Sequence, residues 1–184
     1  MKIVLILLIL STYLFSSNLS TLYKLYESQK YDKACDYAFK YAYKKKNKNS
    51  ENYLTLYGLS CLETNNLSRM AVPMTGLTKT KDGRANASYF GTILLQKQLL
   101  LQALIDDKPL GDLYLPTTNF VLSKVFKLFL NKEYRFNAGV YRLIDKGNKG
   151  IEYRLYMKKN GKLSNYMILD IYKESKFTKR YQYR

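Results

Sequence analysis

Residues 151–158 read IEYRLYMK. Ile151, Tyr153, Leu155 and Met157 alternate with Glu152, Arg154, Tyr156 and Lys158. A period of two collects apolar side chains on one face only if the chain is an extended strand. The alternation resumes in Asn165, Met167, Leu169 and Ile171. Between the two runs stands Lys159-Asn160-Gly161-Lys162, and Asn-Gly accepts the positive φ of a tight hairpin turn. Upstream, Phe136, Ala138 and Val140 alternate with Arg135, Asn137 and Gly139, which reads as a preceding strand, and Asp145 to Gly150 as a looser turn. Phe177 to Tyr183 adds a fourth strand. Residues 132–184 therefore read as an antiparallel meander, with one face for burial and the other for water.

Before Asn131 the apolar spacing is three and four. LSTLYKLYESQ (19–29) makes a first helix, and a second begins near Tyr31 with Ala34, Cys35, Ala38, Tyr41 and Ala42 on one stripe. Lys44, Lys45 and Lys46 suit its C-terminal end, where cations meet the negative pole of the helix. Asn47 to Ser50 reads as a linker and Ser50 as the cap of the helix NYLTLYGLSCLET. NLSRMAVPMTGLTK is a further helix, bent or shortened at Pro73. Lys79 to Gly83 is a charged break. The stretch from Arg84 to Ile105 is apolar around most of its circumference and reads as a central buried helix. Asp106 to Leu115 forms a loop, and Pro116-Thr117-Thr118 opens a last helix bearing Val121, Leu122, Val125, Phe126 and Phe129. The fold expected is α+β, with antiparallel helical hairpins over 21–131 followed by the sheet over 132–184.

The first 20 residues stand apart. Met1-Lys2 precedes Ile3–Leu10 without a polar residue, and SSNLS follows Phe15. A basic start, a short apolar run and a small polar exit match an export signal. The run is shorter than the roughly 20 apolar residues of a spanning helix. No small-x-small cleavage pattern stands near 15–20, so an uncleaved N-terminal tether is the alternative.

Export gives meaning to Cys35 and Cys61. In an oxidising compartment one pair of cysteines suggests one disulfide; otherwise both are small buried apolar residues. The net charge of +17 attracts anions. Outside the cytoplasm these are envelope polymers rather than nucleic acid.

Tyr31, Asp32 and Ala34, then Tyr57-Gly58, Cys61, Leu67 and Met70 about 30 residues on, and Ser88-Tyr89-Phe90-Gly91 with Leu94 and Leu95, resemble the tetratricopeptide repeat over residues 20–105. Leu22 stands where that motif prefers glycine and Met70 where alanine is usual. The resemblance implies stacked hairpins that bind a protein partner. It also puts Cys35 on the second helix of one unit and Cys61 on the first helix of the next, where a bridge is feasible. The chain as a whole resembles short exported bacterial proteins, which implies a periplasmic address.

The chain has no histidine, which removes Ser-His-Asp and Cys-His catalysis and histidine-ligated metals. Neither glycine-rich nucleotide motif occurs, and no cofactor is implied. Asp106-Asp107 and Asp112 are the densest carboxylates, candidates for acid–base work or ordinary loop residues. Lys33 adjoins Cys35, the one arrangement that favours a reactive thiol. The candidate binding surface is the outward sheet face: Arg154, Tyr156 and Lys158 with Tyr166, Asp170 and Tyr172. Tyrosines among cations stack on sugars or bind anionic polymers, although they are also ordinary strand formers. The expected function is a non-catalytic interaction module of the periplasm or cell envelope. Its partner is a protein or an anionic polymer such as peptidoglycan. A carboxylate-dependent enzyme is the remaining alternative.

Overall fold

The computed structural model describes residues 17–148, 150–160 and 164–183, with the side chains of 159, 160, 164 and 165 left out. The export signal therefore lies outside the described residues except for its last few positions, and so does the Gly161-Lys162 half of the expected hairpin turn. Seven α-helices precede five strands among these residues. The fold is α+β, helices first and an antiparallel meander last.

Helix α1 spans Asn18–Glu27, and the Ser17 side chain accepts from Ser20 N at its start. Helix α2, Tyr31–Tyr41, buries Ala34, Cys35 and Ala38. It ends before the lysines, which form a separate turn, α3, Lys45–Lys48. The reason is Asn47. This residue, read from sequence as linker, is 3% exposed and its Nδ2 donates to Tyr41 O at 2.7 Å, satisfying a carbonyl at the end of α2. Ser50 caps α4, Glu51–Glu63, as expected. The bent fourth helix is a 3-10 turn, Leu67–Met70, joined to a short α5, Ala71–Gly76, that contains Pro73.

Helix α6 spans Lys81–Ile105. The charged break before it is in fact its cap: Thr80 Oγ1 accepts from Gly83 N at 2.9 Å. Glu51 holds Lys79 N and Thr80 N at 2.6 and 2.9 Å. The helix is not buried all round. Phe90, Ile93, Gln96, Lys97, Leu100 and Ala103 form one buried stripe, while Leu95 and Ile105 are exposed. Helix α7 spans Val121–Leu130 and starts later than Pro116-Thr117-Thr118. Thr118 Oγ1 instead accepts from Phe120 N in the turn before it. Gln96 Nε2 donates to Pro116 O at 3.1 Å, and Ser123 Oγ meets Gln96 Oε1, which ties this connection to α6.

The strands are β1 Tyr134–Asn137, β2 Val140–Ile144, β3 Ile151–Asn160, β4 Ser164–Lys173 and β5 Lys176–Tyr183, paired antiparallel in that order. The run 135–140, read as one strand, is two strands around a turn, with φ of 48° at Ala138 and 78° at Gly139. The sheet gains a fifth strand by that fold-back.

Leu143, Tyr153, Leu155, Met167, Leu169 and Tyr183 are buried on the inner face of the sheet. They belong to one apolar cluster with Leu22, Tyr53, Phe90, Leu100, Leu122 and Phe126 of the helices. Cys35 and Cys61 form a disulfide, Cα–Cα 4.8 Å, between α2 and α4. Gly58 lets α4 approach α6, because a Cβ there would overlap the ring of Phe90.

Candidate binding surface on the outer face of the sheet

The register of the meander sets one row of residues side by side over all five strands: Arg135, Arg142, Arg154, Asp170 and Arg180. The next row runs Asn137, Val140, Tyr156, Ile168 and Gln182. Side chains two residues apart on a strand share a face, so Arg154, Tyr156 and Lys158 do lie on one side, with Tyr166, Asp170 and Tyr172 across from them.

The β3–β5 half of this face is self-contained. Arg180 binds Asp170 through Nε and Nη2 at 2.6 and 2.8 Å. Asp170 is 3% exposed, and the Tyr156 hydroxyl donates to its Oδ2 at 3.1 Å. Burial, ahead of the Asp170 charge, pushes the Tyr156 phenol above its ordinary value, so it remains a donor. Arg154 Nε lies 2.5 Å from Glu152 Oε1, and its guanidinium covers the Tyr172 ring at 3.7 Å. Two cations meet two carboxylates, and Ile168 is buried beneath them. Three of the five candidates, Arg154, Tyr156 and Tyr172, are thus brought together but turned toward one another. Tyr166 is half-buried and also engaged. Lys158 is exposed and carries no ion pair among the described residues.

The β1–β2 half differs. Arg135 and Arg142 face each other directly across the hairpin. Both are exposed, and neither has a carboxylate partner among the described residues. Like charges directly opposite on neighbouring strands are unfavourable, and solvent and salt weaken that repulsion between exposed groups. Arg154 continues the row on the other side of Arg142. These two arginines were not among the sequence candidates. The signal that would have found them is the turn at Ala138-Gly139, which folds Arg135 back beside Arg142.

Two of the concavities elsewhere among the described residues bear on the readings made from sequence. One, about 720 Å³, opens where the starts of α1, α4 and α6 converge, with Tyr23, Asn52, Thr55, Leu56 and Asn86 in its wall. The other, about 310 Å³, lies between the α6–α7 connection and the β1–β2 hairpin. Asp107 and Asp112 line it, while Asp106 is exposed outside it. The cysteines offer no thiol in the disulfide form, and the group beside Cys35 Sγ is Arg69, at 3.7 Å, rather than Lys33.

Among the described residues no group of three or more acidic or cysteine side chains is placed to hold a metal ion, and no helix is long and apolar enough to cross a membrane. Compared with protein families, with curated proteins and with solved structures, the chain has no significant match.

Proposed function

We propose that the protein is a non-catalytic interaction module of the cell envelope that binds an anionic polymer across the β1–β2 half of its outer sheet face. One observation carries this reading: Arg135 and Arg142 stand opposed, with no carboxylate partner among the described residues, beside a half-sheet in which Arg154 and Arg180 are both ion-paired. A fold that pairs Arg154 and Arg180 locally yet leaves these two together keeps a positive site that an external anion relieves. The envelope address is supported by the apolar start of the sequence and by the Cys35–Cys61 disulfide.

Co-sedimentation with purified cell-wall sacculi tests it. Arg135→Ala with Arg142→Ala is expected to weaken binding about tenfold at low salt, and added salt is expected to erase that difference. Arg154→Ala should cost less, because its charge is already met by Glu152. An Arg135→Ala, Arg142→Ala variant that sediments as the parent does at low salt, or equal loss in every arginine variant, contradicts the proposal.

A second reading, a tetratricopeptide-like array that binds a protein partner, is supported by the 720 Å³ groove among α1, α4 and α6. A photo-crosslinker at Tyr23 should then capture the same envelope protein repeatedly, and one at exposed Tyr114 should not.

A further inference from the structure

We infer that the concavity between the α6–α7 connection and the β1–β2 hairpin is a saccharide site, taking a neutral pyranose unit. It does not depend on the arginine row.

The connection, residues 106–120, contains no helix or strand. Structureless connections of that length are uncommon inside a compact fold and are either functional or linker-like. This one passes over the inner side of the β1–β2 hairpin and encloses about 310 Å³, within the range of small-ligand sites. Asp107 and Asp112 supply carboxylate acceptors, Lys108 and Lys132 supply ammonium donors, and Tyr134 and Tyr141 supply aromatic wall. The formal charges cancel, in a chain of net charge +17. An anionic ligand would meet two carboxylates there, and a cationic one two ammonium groups. A neutral polyhydroxylated ring suits both sets: its hydroxyls donate to carboxylates and accept from ammonium groups, while its C–H face lies on aromatic carbon.

The walls are held in place before any ligand arrives. Phe129, 8% exposed, stacks on Tyr134 at 5.0 Å, and Tyr134 meets Tyr141 edge to face at 5.1 Å. Lys132 sits in the left-handed region at the end of α7, with its N–H on Phe129 O. Asp107 and Gly111 also have positive φ, which sets the curve of the loop. Burial, then the Tyr134 and Asp107 charges, raises the Tyr141 phenol, so it stays a donor. Just beyond Asp112, Tyr114 is 98% exposed, an aromatic platform for a neighbouring sugar ring.

Calorimetric titration of the full chain with two neutral probes, a glucose tetramer and an N-acetylhexosamine tetramer, tests the assignment. At least one should bind, with equal affinity at low and high salt. Asp112→Ala and Tyr141→Phe should each weaken it about tenfold; near-ultraviolet circular dichroism establishes that both variants fold. The Arg135→Ala, Arg142→Ala variant should bind the tetramer as the parent does, which separates this site from the polyanion face. Binding of neither tetramer, or unchanged affinity in both Asp112→Ala and Tyr141→Phe, overturns it.

Discussion

Lys97 lies in the buried stripe of α6 at 4% exposure. No carboxylate meets it among the described residues, and burial lowers its pKa below the ordinary lysine value. A charge taken out of water without a partner costs stability. The sign follows from which state holds the proton more tightly. The unfolded chain does, so the penalty is fully present below the folded pKa and disappears as pH rises to the ordinary value near 10.4. Lys97→Met keeps the unbranched four-atom stem of the side chain and removes the charged ammonium group. It is expected to raise the urea midpoint at neutral pH, and the gain should shrink as the titration is repeated toward pH about 10.4. An equal gain at every pH would mean that packing, not charge, is responsible. None of this was readable from the sequence. In YFGTILLQKQLLL a lone lysine reads as the edge of an apolar face, because periodicity assigns a face but cannot say how wide the face becomes once α7 and the sheet close over it. The same limit made α6 look buried all round, while Leu95 in fact meets water.

At the scale of elements, the legible features were those with a local cause. The period of two from Ile151 and from Asn165 located β3 and β4, and Ser50 announced α4, because strand pleat and cap chemistry act within a few residues. The β1–β2 hairpin was missed for an equally local reason. Its turn is Ala138-Gly139, with φ of 48° and 78°, whereas the recognisable sequence for that geometry is Asn-Gly or Asp-Gly. Alanine pays for the left-handed conformation with a clash between Cβ and the next carbonyl, about 1 kcal/mol or more. Asparagine tolerates it better. Ala138→Asn should therefore stabilise the protein by about 0.5–1 kcal/mol, measured by chemical denaturation. It should leave polymer binding intact, since Arg135 and Arg142 stay in register. A destabilised variant would show that the turn does not hold that conformation. The candidate site inherits the missed turn: Arg154, Tyr156 and Tyr172 were visible on one sheet face, but Arg135 and Arg142 become neighbours only when the chain reverses at residue 138.

The whole molecule raises the question of what the disulfide holds together. Cys35–Cys61 closes a sequence separation of 26 residues within the helical half. In the entropic account such a bridge stabilises by about 3 kcal/mol. The apolar cluster, however, does not stop at residue 131. It runs from Leu22 through Phe90, Leu100 and Phe126 into Leu155, Leu169 and Tyr183, so the inner sheet face has the helices as its cover. Read from sequence, the sheet packs on the helices or beside them, because the change of period marks a boundary between elements and does not choose between the two; the shared cluster shows that it packs on them. If the shared core makes one cooperative unit, loosening the helices also loosens the sheet. Cys35→Ala with Cys61→Ala is then expected to lower unfolding stability by about 3 kcal/mol. The far-ultraviolet helix signal and the hydrogen-exchange protection of the β3 and β4 amides should be lost together at one lower midpoint. Two separated transitions, with the β3–β4 protection unchanged, would establish that residues 132–184 fold on their own. The disulfide would then stabilise the helices alone, and the arginine row and the saccharide concavity would sit on parts of independent stability.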